Sequence, residues 1–203
     1  MSFHPEIPYS TAFQKSERKL SPEGDAFQFT AEERQKFEEL ATHYPPEERK
    51  SAILYALFMV QQKVGYLSAA GMRHVAEVIG CSPADVEDVA TYYAMFYKQP
   101  VGKHVVQVCR TLSCALKGAE RVTEEISRHL HINPGGTDAS GTFTLLEVEC
   151  LGACDRAPIV MVNDGWHECL QPEDAVKLLE MVKAKGEAGL SGCVHAIEGQ
   201  PQQ

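Results

Sequence analysis

Four cysteines arranged in two pairs constrain this chain more than any other sequence feature. The pairs are Cys109–Cys114 and Cys150–Cys154. Four residues lie inside the first pair, three lie inside the second, and 35 separate the two pairs. Each pair follows a run that is typical of a β-strand, His104 to Val108 and Phe143 to Glu149. If these strands are neighbours in a sheet, the two loops that follow them can offer four thiolates to one centre.

The spacing alone leaves several kinds of centre open. Four thiolates suit a [2Fe–2S] cluster or a tetrahedral zinc ion, and zinc sites also use cysteines that are roughly two to four residues apart. Neither pair has the two intervening residues of a redox-active C-x-x-C motif, which argues against a thiol oxidoreductase. The residues favour an iron–sulfur centre over structural zinc, and over cysteines that form disulfides or bind no metal.

Three stretches of the chain resemble one protein family. They are Gly141–Cys154 with the following Ala157–Pro158, Val89–Phe96, and Cys109–Cys114. Together they resemble the thioredoxin-like [2Fe–2S] subunits of respiratory NADH:quinone oxidoreductase (complex I), called E-type or 24 kDa subunits. The resemblance spans roughly residues 30–183. Ser113 departs from the family pattern, because many relatives carry proline before the second cysteine.

The resemblance implies both a site and a function. The family's cluster ligands fall on Cys109, Cys114, Cys150 and Cys154, which would bind one [2Fe–2S] cluster per chain. The implied function is one-electron transfer beside a partner subunit that binds FMN and NADH. The chain would then belong to an oxidoreductase without being catalytic alone. A further iron–sulfur subunit of the peripheral arm is the second implied partner.

Two alternatives stay open. Related subunits occur in NAD-dependent formate dehydrogenases and in soluble NAD-linked hydrogenases, and the sequence does not distinguish these host enzymes. A thioredoxin-like scaffold stabilised by zinc, without electron transfer, would use the same four cysteines. The sequence contains no glycine-rich loop of the dinucleotide-binding or Walker type, so we expect this chain not to bind NADH itself.

Composition and charge exclude other classes. The net charge of −9 argues against nucleic-acid binding, which needs clustered lysine and arginine. Seven cysteines without a signal peptide fit a reducing compartment better than a secreted disulfide framework. The longest apolar run, Ala52–Val60, is far shorter than the roughly 20 residues of a membrane-spanning helix. We expect no membrane insertion, and the resemblance implies the cytoplasmic side of a membrane-bound complex.

Sequence patterns divide the chain into four parts. Residues 1–29 show no sustained period, which predicts an extended or disordered arm. The pattern of residues 30–98 predicts a bundle of four helices, with capping residues at helix starts and glycines at helix ends. These helices run from Thr30 to about His43, from Glu47 to Lys63 with Gly65 as its cap, from Ser68 to Gly80, and from the cap Ser82 onward. Residues 99–185 predict the cluster domain, and residues 186–203 a flexible tail.

Residues 99–185 alternate between strand and helix patterns. The predicted elements are a strand at His104–Val108, a helix at Leu116–His131, strands at Phe143–Glu149 and Ile159–Asn163, a turn at Asn163–Gly165 leading into Trp166–Cys169, and a helix from Pro172. This order, summarised as β-α-β-β-α, is that of a thioredoxin-like half. The predicted fold class is α+β, with an N-terminal four-helix region followed by a thioredoxin-like [2Fe–2S] ferredoxin domain.

Residues beside the four cysteines predict how a cluster would be tuned. Hydrogen bonds to sulfur and nearby cations raise a cluster's reduction potential. The candidate donors are the cations Arg110, Lys117 and Arg156, the hydroxyls of Thr111 and Ser113, and the backbone N–H groups of Leu151–Ala153. Gly152 would let the backbone pass close to a cluster. Pro158 is a candidate cis proline, and Cys81, Cys169 and Cys193 are expected not to be ligands.

Overall fold

The computed structural model describes residues 20–186 of the chain. In this range the chain forms two compact units that divide between Pro100 and Val101. We call them the helical unit, residues 20–100, and the sheet unit, residues 101–186. Each unit has its own apolar core. Residues 1–19 and 187–203 lie outside the described residues, and with them lie most of the predicted arm, the predicted tail and Cys193.

The helical unit contains four α-helices within the described residues. They are α1 (Ala31–Ala41), α2 (Ile53–Val64), α3 (Ala69–Ile79) and α4 (Pro83–Tyr92). Three of them begin at a side-chain cap, which satisfies backbone N–H groups that have no partner within the helix. Thr30 and Glu33 form a capping box at α1, and Ser82 and Asp85 form another at α4. The Ser68 hydroxyl caps α3. These starts confirm the predicted ones.

The second predicted helix, Glu47–Lys63, is wrong over its first turn. The chain there forms a 3-10 helix, Pro46–Ala52, and α2 follows it. Glu48 interrupts the helical backbone, with φ −103° and ψ 20°. Pro45 is extended, and Pro46 takes the first position of the 3-10 helix, where the missing N–H of proline costs nothing. This tighter helical segment leads into α2.

The ends of these helices follow the predicted glycines where glycine is present. Gly65 ends α2 at φ 87° and Gly80 ends α3 at φ 82°, both in the left-handed conformation that only glycine adopts readily. α4 ends differently, because Tyr93 turns into an extended backbone. The helical spacing of Tyr93 with Val86 and Ala90 predicts that it faces the core, and this is wrong, because Tyr93 is 39% exposed whereas the other two are buried.

The core of the helical unit is formed by one apolar stripe from each helix. Its fully buried members include Phe37, Ala52, Ala56, Leu57, Val60, Leu67, Val75 and Val86. The aromatic residue Phe96, which follows α4, also packs into this core and is 2% exposed. Apolar burial of this extent is the main source of stability for a small helical unit.

The sheet unit is built on four strands and three α-helices within residues 101–186. The strands are β1 (His104–Cys109), β2 (Phe143–Val148), β3 (Val160–Val162) and β4 (Gly165–His167). The helices are α5 (Leu112–Leu116), α6 (Ala119–Leu130) and α7 (Pro172–Lys185). The strand order in the sheet is β2-β1-β3-β4, with β1 parallel to β2 and antiparallel to β3. This mixed helix and sheet architecture confirms the predicted α+β class.

The structure corrects several bounds in the sheet unit. The summary β-α-β-β-α leaves out the second arm of the predicted hairpin, which the structure shows as β4, paired with β3. The predicted helix Leu116–His131 begins later, as α6 at Ala119, because Gly118 at φ 92° separates α6 from the short helix α5, of which the prediction included only Leu116. The predicted strand Trp166–Cys169 ends earlier, since Cys169 has φ 52° and cannot continue a strand.

The structure confirms the predicted hairpin turn at Asn163–Gly165. Val162 pairs with Gly165, which leaves Asn163 and Asp164 as the two turn residues. Asn163 takes φ 49°, a left-handed conformation that asparagine tolerates better than most residues. The Asn163 side chain also binds back to β1, where its Oδ1 accepts a hydrogen bond from the Val105 N–H at 2.7 Å.

The core of the sheet unit lies between the strands and the helices α6 and α7. Its fully buried members include Val106, Val108, Val122, Ile126, Leu145, Val160, Ala175, Leu178 and Val182. Apolar residues at helical spacing predict one buried face on each of these helices, namely Ala119, Val122, Ile126 and Leu130 of α6 and Ala175, Leu178, Leu179 and Val182 of α7. The structure confirms both faces, with Leu130 only partly buried. No helix within residues 20–186 is both long and apolar enough to cross a membrane.

Candidate metal centre

The parallel pairing of β1 with β2 brings the two cysteine loops to one edge of the sheet. Cys109 is the last residue of β1, and in register it lies beside Val148, the last residue of β2. Parallel strands end at the same edge, so the loops that leave them start side by side. The Arg110 N–H donates to the Val148 carbonyl at 3.0 Å and fixes this junction. The short helix α5 then places Cys114 in the buried core.

The second loop holds its two cysteines against each other. The sulfurs of Cys150 and Cys154 are 3.4 Å apart, and both residues are exposed. The Gly152 N–H donates to the Cys150 sulfur, with nitrogen and sulfur 3.4 Å apart. Gly152 has φ 91°, so the tight turn that aims its N–H at sulfur strongly favours glycine. Cys109 and Cys114 of the first loop are each 1% exposed, so the site has a buried side and an exposed side.

Two of the four thiols are favoured as thiolates. Burial opposes ionisation of Cys109, but its pKa is lowered because the Thr111 hydroxyl and the backbone N–H groups of Thr111 and Leu151 donate to its sulfur. The pKa of Cys150 is lowered mainly by the Gly152 N–H. Donors that stabilise a negative sulfur are what a thiolate ligand needs.

The other two thiols are disfavoured as thiolates by burial and by their neighbours. Burial raises the pKa of Cys114 to about 11. The Cys150 sulfur raises the pKa of Cys154. Charge on Cys109 also acts on Cys114, Cys150 and Cys154. All four sulfurs therefore lie in one electrostatic environment, where a bound cation would remove their mutual repulsion.

This donor set fits a [2Fe–2S] cluster. Thiolates are soft donors that suit iron–sulfur clusters, and such a cluster takes four of them. The four predicted cysteines come from two loops, and each loop supplies one thiol of lowered pKa and one of raised pKa. In residues 20–186 no group of three or more His, Cys, Asp or Glu side chains is arranged to hold a single metal ion.

Two of the three predicted cations, Arg110 and Arg156, are already engaged with acidic side chains, and the third, Lys117, is exposed. The Arg110 guanidinium contacts the Glu149 carboxylate at 2.9 Å and so links the two cysteine loops across the sheet edge. Arg156 lies 3.7 Å from Asp155 and 3.8 Å from Glu168. Their charges are therefore partly neutralised, and their influence on the site is smaller than the sequence alone indicated.

The remaining described cysteines lie apart from the two loops in the sequence. Cys81 belongs to the helical unit, between α3 and α4, and burial raises its pKa. Cys169 follows β4, and its N–H donates to the Arg156 carbonyl at 2.8 Å. The predicted cis proline is present, since the Ala157–Pro158 peptide is cis.

Sequence patterns did not single out three exposed apolar side chains near the site. Leu112 and Leu116 of α5 are 74% and 78% exposed, and Trp166 of β4 is 41% exposed. The Trp166 ring lies 4.0 Å from where a side chain at Gly152 would begin, so it stands against the second cysteine loop. The hairpin register could have indicated Trp166, because it points away from the buried His167. The helix α5 is too short to show a periodic pattern, so no sequence pattern indicated Leu112 and Leu116.

Fold and site together define a class: small α+β proteins that carry an iron–sulfur cluster on four cysteine thiolates. The family model for thioredoxin-like [2Fe–2S] ferredoxins matches residues 37–183 of the chain. The chain belongs to this family, and the cofactor of the family is one [2Fe–2S] cluster. This result confirms the resemblance that the sequence motifs predicted.

Curated relatives agree with that assignment over nearly their full length. The chain is 40% identical over 156 residues to the E-type subunit of NADH-quinone oxidoreductase from Pseudomonas aeruginosa, covering 77% of this chain and 93% of the relative. It is 37% identical over 162 residues to the corresponding E-type protein of Escherichia coli, covering 80% of this chain and 96% of the relative.

A solved structure shares the fold. An NAD+-reducing [NiFe]-hydrogenase in its air-oxidized state matches with a TM-score of 0.58 and 18% identity. The match covers 66% of this chain and 23% of the hydrogenase chain. At this identity the likeness concerns the fold alone.

Proposed function

We propose that this chain is the one-electron carrier subunit of an NADH:quinone oxidoreductase. The observation that carries the proposal is the meeting of four interacting cysteine thiols at one sheet edge. Its family membership and its likeness to the E-type relatives along nearly the whole of their length support the same role. A bound [2Fe–2S] cluster supplies the reversible uptake of one electron. The chain's own residues hold, insulate and tune that centre.

The proposed ligands are Cys109, Cys114, Cys150 and Cys154. The contact between Cys150 and Cys154 supports a division in which these two bind one iron and the first pair binds the other. The first pair is buried, so it would anchor the cluster inside the unit. The second pair is exposed, so it would present the cluster to an electron donor.

The proposed electron donor is a flavin- and NADH-binding subunit of the same complex, with a further iron–sulfur subunit as the second partner. The exposed side chains Leu112, Leu116 and Trp166 support an interface at the cysteine edge. Leu112 and Leu116 are four residues apart, which places them on one side of α5. Exposed apolar side chains grouped at one place mark surfaces where a partner binds.

We further propose that residues 30–98 act as a docking region and residues 99–185 as the cluster domain. The separate apolar cores of the helical and sheet units support this division of roles. The proposed location is the cytoplasmic side of a membrane-bound complex, which follows from the proposed role in that complex and from no feature of the fold.

Isolation of the native complex tests the function. We expect the chain to copurify with an NADH-oxidising flavoprotein, and NADH to reduce its cluster in the complex but not in the purified chain. Copurification with hydrogenase or formate dehydrogenase subunits would replace the host enzyme and keep the electron-carrier role. One zinc ion per chain after anaerobic reconstitution, without iron and acid-labile sulfide, would overturn that role.

A further inference from the structure

The Thr111 hydroxyl is placed against cysteine sulfur instead of serving its helix. Thr111 is the N-cap residue of α5, a position at which threonine normally accepts a hydrogen bond from a backbone N–H. It makes no such capping bond. Its Oγ1 lies 3.3 Å from the Cys109 sulfur. The same hydroxyl acts to lower the pKa of Cys150, which belongs to the other loop, so it is near that sulfur as well.

The N-cap residues of the helical unit behave differently. Thr30, Ser68 and Ser82 each use the side-chain oxygen to accept a backbone N–H at the start of their helices. Thr111 also carries a hydroxyl and also occupies an N-cap position, so helix capping does not account for the orientation of its hydroxyl toward sulfur. A hydroxyl that contacts a sulfur of one cysteine loop and influences a sulfur of the other acts on both halves of the proposed ligand set.

Ser113 extends this arrangement to a third sulfur. Its hydroxyl acts to lower the pKa of Cys154, whose sulfur lies on the exposed side of the site, so the hydroxyl is directed toward that sulfur. A cysteine that binds a metal has lost its proton, so in the loaded site the hydroxyl must be the donor and the sulfur the acceptor.

We propose that Thr111 and Ser113 are positioning residues that donate O–H hydrogen bonds to the ligand sulfurs and thereby hold the cluster at a higher reduction potential. This inference rests on the proposed ligand set. Reduction adds one electron, with no bond formed or broken and no proton required. The added negative charge is shared by the ligand sulfurs. A hydrogen bond to such a sulfur is stronger in the reduced state, so it favours uptake of the electron.

The test compares Thr111→Val, Ser113→Ala and the double variant with the unchanged protein. Valine keeps the shape of threonine and removes only the hydroxyl. In the double variant we expect the equilibrium constant for one-electron reduction to fall about tenfold, which is about 59 mV for one electron. A redox titration followed by the electron paramagnetic resonance of the reduced cluster measures it. Iron and acid-labile sulfide per chain should not change.

Two further variants separate hydrogen bonding from packing. Thr111→Ser keeps the hydroxyl and should restore most of the potential that Thr111→Val loses. Thr137→Val removes a hydroxyl from the same unit that bonds the Thr144 hydroxyl at 2.7 Å, at the other end of β2, and should leave the potential unchanged.

Each outcome decides the proposal. An unchanged potential in Thr111→Val and Ser113→Ala with full iron content would overturn it, and so would an equal fall in Thr111→Ser. If Thr111→Val fails to retain iron, the electron–nuclear double resonance of the native cluster in D₂O decides. A coupled deuteron that Ser113→Ala removes supports the proposal, and its absence refutes it. A full cluster in Cys109→Ala, which offers iron no ligand atom, would instead refute the proposed ligand set.

Discussion

The helical unit and the sheet unit use the same kinds of residue for different purposes. In the helical unit, Thr30, Ser68 and Ser82 cap helices with their side chains. In the sheet unit none of the starts of α5, α6 and α7 has a side-chain cap. Within residues 20–186, the three residues other than glycine with positive φ all belong to the sheet unit, and they are His131, Asn163 and Cys169. The helical unit thus follows local capping rules closely, whereas the sheet unit departs from them at several positions, of which Thr111 lies beside the proposed site.

The difference shows where each unit obtains its stability. Capped helices over a buried apolar stripe form a unit that needs nothing further. The sheet unit directs hydroxyls and backbone N–H groups at sulfur, and it leaves thiols of raised pKa side by side. A bound metal centre would neutralise the thiolates and remove their mutual repulsion. We therefore expect metal binding to stabilise the sheet unit selectively.

The largest expected effect therefore comes from a ligand. We expect Cys150→Ser to lose the cluster or to keep one that is labile and shifted in potential, because a serine hydroxyl is a poor ligand for iron beside thiolates. Hydrogen exchange should quicken in the sheet unit and stay unchanged in the helical unit. Cys81→Ser is the matched control and should keep the full cluster. Equal loss of protection in both units would show that their stabilities are not separate.

Truncation of a buried leucine should destabilise mainly the unit that contains it, so it tests the separation of the two units from either side. Leu57 is fully buried in the helical unit, and Leu178 is fully buried in the sheet unit. Each change to alanine should cost about 2–5 kcal/mol, from lost apolar burial and from the cavity that remains. We expect Leu57→Ala to accelerate exchange in the helical unit while the cluster absorption persists. Leu178→Ala should accelerate exchange in the sheet unit and make iron easier to remove with a chelator.

The two units should also differ in their response to acid. His167 is fully buried, neither ring nitrogen has a hydrogen-bond partner, and burial lowers its pKa from 6.5 to about 4. The unfolded chain therefore takes up a proton below pH 6.5 that the folded sheet unit refuses, so stability is complete above that pH and is lost as the pH falls. Between pH 6.5 and 5 the loss is about 2 kcal/mol.

A variant isolates the contribution of His167. In His167→Gln this part of the pH dependence should disappear from the hydrogen exchange of the sheet unit. The helical unit has a weaker counterpart in His74, whose pKa burial also lowers and whose Nε2 accepts a hydrogen bond from the Phe29 N–H at 3.1 Å. A pH dependence that persists unchanged in His167→Gln would assign the acid sensitivity to other groups.

The sequence predicted best the features that depend on local chemistry. Capping residues, glycine helix ends and the turn at Asn163 act over a few residues, so their patterns are visible in the chain. The break at Gly118 and the 3-10 turn after Pro46 compete with a good helical pattern and were missed. The site followed from spacing and resemblance, and the sequence also indicated the Thr111 and Ser113 hydroxyls as candidate donors to sulfur. The contact of Thr111 with the Cys109 sulfur is local, because the two residues are two apart in the chain, whereas its influence on Cys150 depends on the tertiary meeting of β1 and β2.

The smallest expected effect concerns Arg110, which links the two cysteine loops. Its guanidinium contacts Glu149 at 2.9 Å, and both side chains are substantially exposed. Arg110→Gln removes a positive charge and leaves the Glu149 carboxylate beside the proposed site without its partner. Both changes disfavour an added electron, so the reduction potential should fall. Solvent screening limits this to about tens of millivolts.

The pair can be tested as a unit by removing both charges. Because Arg110→Gln with Glu149→Gln leaves the net charge beside the site unchanged, the double variant should recover most of the potential that the single variant loses. Raising the salt concentration should shrink the single-variant effect, since exposed charges are screened. If the double variant stays as low as Arg110→Gln, the arginine acts by holding the two loops together and not by its charge. In that case the sheet unit of both variants should also show faster hydrogen exchange at Cys109 and Val148.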